Sequence, residues 1–407
     1  MKNIDIANKI KWVGKVDNRK VPFHRLILEK GTTYNSYLLM TEKPTVIDTV
    51  DIEFGKEYVE NLREVIDPES LAYIVINHVE PDHSGALPAL ASKAKNAVIV
   101  TSSKGKVLLK EMYHLYNREF LVVKDGDTLD IGGATLKFFE TPYLHTEETM
   151  VTYAVEEKIL FPCDIFSTHI ANDVLFNDLA NEPYEEDFKT YYDLIMSPHR
   201  PYVQDMIKKI NNLDIRLIAP SHGYILRNNV KDFINNYDQW SRISSENKPR
   251  VALVYSSMTG NTAKIAKAMA QGLEKSGVEA AIINLKNVSE EEVLNTVTNA
   301  DGLLVGSSTR YGDMVGKTES FLDALSEIPA KRPAAAFGSY GWSGEAIFHV
   351  ENKLKKTGFN VVDSNYLISH RGVDTNLFPL RLRFATEDGL RLAEEAGRAF
   401  GEIVLTQ

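Results

Sequence analysis

The sequence predicts an α/β protein of two domains: an αβ layered unit with two sheets, then an open, doubly wound parallel sheet. Three observations predict it. At 407 residues the chain exceeds what a single hydrophobic core supports. A polar segment ending in proline, Ser244-Ser-Glu-Asn-Lys-Pro249, separates two differently patterned halves. Strand and helix patterns alternate cleanly after that segment and irregularly before it.

The boundary is accordingly placed to give domains 1–248 and 249–407. In the second, apolar runs predict strands over 250–255, 278–285, 302–306, 333–338 and 360–368, with helices between them and a last helix over 385–404. β–α units in that order imply a parallel sheet with helices on both faces. The first half contains several strands before its first convincing helix, 54–65, a mixture that suits two layered sheets.

A formal net charge of -10 argues against nucleic acid or an anionic membrane as partner. No apolar stretch approaches the length of a membrane span, and the N-terminus lacks the apolar core of a secretory signal. With Cys163 as the only cysteine there is no disulfide, no Cys-x-x-Cys pair and no iron–sulfur site in the chain. A cytoplasmic location is expected.

The densest chemistry lies in His78-Val-Glu-Pro-Asp-His83, directly after the apolar run Leu71–Ile76. That run is short, β-branched and uncharged, so it reads as a buried strand. Two imidazoles and two carboxylates at a strand's end are natural ligands for a cation. On a tight loop, His78, Glu80 and Asp82 can face one way while His83 closes from the other, which suits two ions better than one. His145, Asp164 and His222 recur in the same setting, each following a strand-like run, an arrangement that puts all seven residues on one edge of the sheet. Four imidazoles, three carboxylates and no thiolate favour iron or manganese and redox chemistry over hydrolysis. Asp164 is the best candidate to bridge two ions.

In the second half, Ser257-Met-Thr-Gly-Asn-Thr262 lies between a strand and a helix predicted over 263–275. Hydroxyls and backbone amides on such a turn cradle a phosphate at the helix N-terminus, and Gly260 permits the tight turn. The loop has neither the Gly-Lys-Ser/Thr of a Walker A sequence nor a Gly-x-Gly-x-x-Gly pattern, so one monophosphate fits better than a pyrophosphate. Two later strand-end loops, Ser308-Thr309-Arg310-Tyr311-Gly312-Asp313 and Ser339-Tyr340-Gly341-Trp342-Ser343-Gly344, combine glycines with an aromatic residue. Tyr311 and Trp342 suit the faces of an isoalloxazine ring; the alternative is that they pack beneath their loops.

The first set of residues resembles the metallo-β-lactamase superfamily motif His-x-His-x-Asp-His, with Glu80 in place of the second histidine, and residues 257–262 resemble the flavodoxin phosphate loop. Together, an αββα metallo-β-lactamase-like domain followed by a flavodoxin-like domain resembles the flavodiiron proteins over essentially the whole chain. That resemblance implies a diiron centre with His78, Glu80 and His145 on one iron, Asp82, His83 and His222 on the other, and Asp164 bridging. It implies FMN in the second domain, and reduction of dioxygen to water, with nitric oxide as a second substrate. It further implies an external electron donor, either reduced coenzyme F420, as in the branch found in methanogenic archaea that this chain is most similar to, or a rubredoxin. A head-to-tail homodimer, which can pair into a tetramer, would bring one chain's flavin to the other's irons. His24 and His169 resemble family histidines beside the metals and are candidate catalytic residues; the alternative is that both are ordinary hydrogen-bonded histidines. Cys163 reads as buried filler, and His114, His199, His349 and His370 stay unassigned. Two other readings remain open, a dinuclear zinc hydrolase with an accessory flavodoxin-like domain and an electron carrier with a vestigial first domain.

Overall fold

The computed structural model describes residues 4–20, 22–23, 26–242, 248–325, 331–371 and 377–406. The chain divides into two compact units, Met1–Arg242 and Ile243–Gln407. Most of the segment 244–249 lies outside the described residues, as does His24.

The first unit is a sandwich of two sheets. One runs in the spatial order Ile4–Ala7, Ile10–Trp12, Tyr37–Leu39, Thr45–Ile47, Tyr73–Val75, Val98–Thr101, Phe120–Val122, and the other in the order Thr128–Asp130, Thr135–Glu140, Met150–Ala154, Ile159–Phe161, Leu217–Ile218. Trp12, Tyr37, Val75 and Val100 of the first meet Phe138 and Phe161 of the second in a shared core. Alternation then sends the neighbouring residues outward to the helices. Ile74 and Ile99 pack with Leu62 and Leu90 from helices Gly55–Arg63 and Leu87–Lys93. Val151 and Leu160 pack with Val203 and Tyr237 from helices Arg200–Ile210 and Val230–Ser241. Because Tyr73–Val75 is covered on both faces, its sequence reads as an unbroken apolar run and not as an alternating one.

The second unit is a wholly parallel sheet in the order Glu279–Asn284, Arg250–Ser256, Gly302–Ser308, Pro333–Ser339, Asn360–Val361, with Leu380–Leu382 also pairing the fourth of these. Helices Asn261–Lys275 and Glu387–Leu405 cover one face. Helices Glu290–Thr298, Thr318–Ala324 and Glu345–Leu354 cover the other. One strand differs from the sequence reading. The strand predicted over 360–368 pairs only at Asn360–Val361, and Ser364–Arg371 is helical. The Asp363 carboxylate accepts a hydrogen bond from the backbone N–H of Tyr366 at 3.0 Å, capping that helix and ending the strand.

Candidate metal centre and flavin loops

The loop after Tyr73–Val75 is set by Asn77, whose backbone N–H and side-chain amide donate to the two oxygens of Asp48 at 2.7 and 3.1 Å. Its Oδ1 accepts from Thr152 of the other sheet at 2.7 Å. Burial pushes the Asp48 carboxyl up to about 6. Immediately afterwards the chain does not stay extended. Pro81 begins a helical turn, Pro81–Ser84, in which the N–H groups of His83 and Ser84 both donate to the Glu80 carbonyl. The turn reverses side-chain direction between Glu80 and Asp82, so His78 and Glu80 face one position while Asp82 and His83 face a second. The expectation that His78, Glu80 and Asp82 face one way is corrected by that turn.

The other three residues come from ends of the second sheet: His145 after Thr135–Glu140, Asp164 after Ile159–Phe161, and His222 after Leu217–Ile218. The site therefore lies at the end of the sandwich where both sheets meet, not on one edge of one sheet. Cys163, at φ 59°, holds a left-handed conformation that only a turn of this kind requires, and it delivers the Asp164 side chain inward.

Among the described residues three donor groups result: His78/Glu80/His145/Asp164, Asp82/His83/His222, and His83/Cys163/Asp164, which overlaps the other two. In the first, Glu80 Oε2 lies 3.3 Å from His78 Nε2 and 3.4 Å from His145 Nε2. In the second, Asp82 Oδ2 lies 3.2 Å from the Nε2 atoms of both His83 and His222. Asp164 faces both: its Oδ2 is 3.6 and 3.4 Å from His78 and His145, and its Oδ1 is 3.3 and 3.4 Å from His83 and His222. Metal bonds of about 2.1 Å place neighbouring ligand atoms about 3.0–3.4 Å apart, so these spacings match two coordination spheres sharing one carboxylate. Among the described residues, His78 Nε2, His83 Nε2 and Asp82 Oδ2 are buried without a hydrogen-bond partner, which a bound cation would supply. The donor set fits two ions.

The outer nitrogens are held as well. His78 Nδ1 is 2.7 Å from Glu148 Oε1 and 3.2 Å from Thr146 Oγ1, and His222 Nδ1 donates to the Thr33 carbonyl at 2.7 Å. Behind His83, Cys163 Sγ lies 3.7 Å from Nδ1, the nitrogen facing away from the carboxylates. Burial pushes that thiol up to about 11, so it is a neutral neighbour and not a thiolate ligand. Tyr191 donates its phenolic O–H to Asp164 Oδ1 at 2.9 Å. His169 stands beside the centre, its ring 4.9 Å from that of His222 and 5.0 Å from that of Tyr191, with Nδ1 2.9 Å from Thr32 Oγ1. Glu148 and Tyr191 were not singled out from the sequence. For Glu148 a signal existed, a carboxylate three residues after a candidate ligand. For Tyr191, on helix Glu185–Tyr191, there was none.

Without metal, the charges pair with one another. Burial opposes charge on the imidazoles, but the carboxylates outweigh it: Glu80 and Asp164 raise His145 to about 9, and His78, His83 and His222 are raised too. Burial likewise opposes charge on Glu80, Asp82 and Asp164, and the surrounding imidazoles hold all three below the usual carboxylate range. A metal must displace imidazolium protons. Cation affinity is therefore expected to rise as pH climbs towards 9, with net proton release. Calorimetric titration in buffers of differing ionisation enthalpy reads this directly, and uptake without proton release contradicts it.

In the second unit, Gly260 has φ 82° and opens the helix Asn261–Lys275. Its N–H donates to Ser257 Oγ at 3.1 Å, and the Met258 N–H donates to Ser308 Oγ at 3.3 Å. Thr262 Oγ1, on that helix, joins two strand ends, 2.9 Å from Ser308 Oγ and 2.8 Å from Ser339 Oγ. Asn261 bonds back to Thr259 Oγ1 at 3.0 Å and accepts from the Ala385 N–H at 3.1 Å. Arg310 and Asp313 close their loop by reciprocal backbone hydrogen bonds of 3.0 Å around Tyr311 and Gly312. The 339–344 loop is held from the neighbouring strand, with Arg381 donating to the Ser343 carbonyl and Arg383 to that of Gly341, while Tyr340 packs near Arg381 and Gly344 begins the next helix. Tyr311 and Trp342 are 92% and 93% exposed, so neither packs beneath its loop. Among the described residues Ser256 Oγ and Thr309 Oγ1 are buried without a hydrogen-bond partner. Two solvent-exposed aromatic rings, that of Tyr311 with Arg310 over it, together with orphaned hydroxyls and a helix N-terminus fit a flavin monophosphate. Among the described residues, no helix is long and apolar enough to cross a membrane.

Residues 32–223 match the ODP family beta lactamase profile and residues 253–397 the flavodoxin profile. An uncharacterized protein of Methanocaldococcus jannaschii is 36% identical over 98% of each chain. The anaerobic nitric oxide reductase flavorubredoxin of Aeromonas hydrophila is 37% identical, over 88% of this chain and 74% of that protein. Among solved structures, the metal-soaked flavodiiron core from Synechocystis is 30% identical with a TM-score of 0.63, covering 99% of this chain and 98% of that one. The rubredoxin oxygen:oxidoreductase from Desulfovibrio gigas is 28% identical with a TM-score of 0.57 over the same shares. Two matched domains in this order and similarity over most or all of the chain to such relatives make this chain a member of the flavodiiron protein family.

Proposed function

We propose that this flavodiiron oxidoreductase reduces dioxygen to water, with reduced coenzyme F420 as electron donor and nitric oxide as a second substrate. The observation that carries the reading is the shared Asp164 between two buried, thiolate-free sets of imidazole and carboxylate donors. Such a set suits iron in more than one oxidation state better than zinc. In this reading His78, Glu80 and His145 hold one iron, Asp82, His83 and His222 the other, and Asp164 bridges. The phosphate of FMN lies on residues 257–262, and its ring on 308–313 and 339–344. When bound, the irons and the flavin supply the four electrons that convert one dioxygen and four protons to two waters. Around them the chain excludes water, since its ligands are almost all buried. Tyr191 and His169 stand where protons are held near Asp164 and His222. The domain boundary is placed at 248/249, and a cytoplasmic head-to-tail homodimer brings flavin and irons together across chains.

The F420 assignment rests on the chain's resemblance to the family branch found in methanogenic archaea. The rubredoxin-dependent alternative is supported by the names of the relatives from Aeromonas hydrophila and Desulfovibrio gigas. Oxygen uptake with anaerobically reduced F420 alone supports the first, and uptake only with reduced rubredoxin transfers the donor role to the second. Purified protein that carries two zinc ions and consumes no oxygen with either donor returns the hydrolase reading. For the flavin, Trp342→Ala is expected to weaken FMN binding about tenfold, the worth of one aromatic contact. Unchanged affinity in flavin dialysis removes Trp342 from the ring site.

A further inference from the structure

The two metal positions have matched inner donors, each with two imidazoles, one carboxylate of its own and one oxygen of Asp164. Their outer partners do not match. On the first position, His78 Nδ1 faces a buried carboxylate, Glu148, at 2.7 Å. That oxygen also accepts from the Val79 N–H at 3.1 Å, which fixes its place. On the second, His222 Nδ1 donates to a neutral carbonyl at 2.7 Å and His83 Nδ1 faces a thiol at 3.7 Å. The Tyr191 hydroxyl adds a further difference. It donates at 2.9 Å to Asp164 Oδ1, the oxygen that faces His83 and His222, and leaves Oδ2 to the first position.

Each difference acts in the same direction. A carboxylate behind an imidazole draws on its N–H proton and makes the opposite nitrogen a stronger donor; a carbonyl does so less and a thiol least. A phenol bound to a carboxylate oxygen withdraws electron density from it, so that oxygen binds a cation less strongly. We infer that the two positions are unequal: the one formed by His78, Glu80 and His145 fills first and more tightly, and the one formed by Asp82, His83 and His222 fills second and more weakly. Glu148 and Tyr191 are the positioning residues that set the difference. The inference rests on the dinuclear reading above and adds an order of filling to it.

Metal-free, full-length protein titrated anaerobically with cobalt(II), followed by calorimetry and by visible absorption, tests it. The wild type is expected to show two steps whose affinities differ about tenfold or more, the range an outer partner commands. Glu148→Gln, which keeps an oxygen acceptor but loses the charge, weakens the tight step about 10–100-fold and spares the other. Tyr191→Phe tightens the weak step and narrows the gap. Two indistinguishable steps in the wild type, or Glu148→Gln acting on the weak step, overturn the inference while leaving the dinuclear site standing. Failure to take up cobalt removes the dinuclear reading itself. Should Glu148→Gln not fold, judged by far-UV circular dichroism, the wild-type steps and Tyr191→Phe decide alone.

Discussion

Asp164→Ala is expected to abolish gas reduction while the protein keeps its flavin absorbance. Among the described residues, Asp164 is the one carboxylate within 3.6 Å of imidazoles from both candidate metal positions, through a different oxygen for each. Its removal costs each position a donor and takes away the negative charge that lets two cations sit side by side. Loss of an outer partner alone costs 10–100-fold in metal affinity or activity, so loss of the shared ligand is expected to cost more than about 100-fold. Metal content should fall from two ions per chain to one or fewer in elemental analysis. The candidate flavin loops belong to a separate compact unit, so retained flavin shows only that the second unit is intact, and far-UV circular dichroism is needed to show that the first is folded. Asp164→Asn, which keeps the shape and one good acceptor, should fall between. Full oxygen consumption with two metals retained in Asp164→Ala would leave the metal reading without its central residue and favour the electron-carrier reading.

The sequence carried the inner donors of this centre well because each one follows a strand, and strands announce themselves as apolar runs. His78, Asp164, His222 and His145 lie three, three, four and five residues past the ends of such strands. Spacing alone carried their grouping poorly, and the division of His78, Glu80 and His145 from Asp82, His83 and His222 came from the family resemblance. Whether Asp82 points with Glu80 or against it depends on a single helical turn begun by Pro81, and an isolated four-residue helix has no periodicity to read. Tyr191 was missed for a related reason: an outer partner is defined by what it touches, and nothing in Phe-Lys-Thr-Tyr distinguishes it, while for Glu148 the signal was its place three residues after His145. His24 lies outside the described residues.

The second unit shows the same division between pattern and contact. Its parallel strands were legible from apolar runs bounded by polar residues, and only 360–368 was misread. There Val361 and Val362 begin like a strand, and Tyr366, Leu367 and Ile368 continue the apolar character. The stop was nevertheless written in Asp363-Ser364, a helix-capping pair, and Leu380–Leu382 takes up the sheet edge instead. The exposure of Tyr311 and Trp342 could not be read at all, because an aromatic residue in a glycine loop is equally suited to packing under it or standing clear of it.

The helix pair behind the flavin phosphate loop yields the largest expected change in stability. Helices Asn261–Lys275 and Glu387–Leu405 approach so closely that glycines form the contact. A Cβ placed on Gly397 would lie 2.0 Å from the Met269 carbonyl oxygen and 2.7 Å from two further Met269 backbone atoms. One on Gly272 would lie 2.0 Å from the Glu394 carbonyl oxygen. In both cases the obstacle is helix backbone, which no rotamer change relieves. Two effects compete in Gly397→Ala. Alanine favours a helix over glycine by about 1 kcal/mol. Overpacking a close contact costs about 1–3 kcal/mol, occasionally more. Here the clash requires the helices to separate, which opens gaps around Met269, Leu273 and Phe400 in the core they share, so the second effect should win. Gly397→Ala is expected to lower the melting temperature by on the order of 5 °C. Because Gly260 and Asn261 stand at the start of the displaced helix, FMN should be lost more easily as well. A scanning calorimetry trace with an unchanged or raised transition would mean that the helices tolerate a methyl group between them, and that the glycines are not what sets their separation.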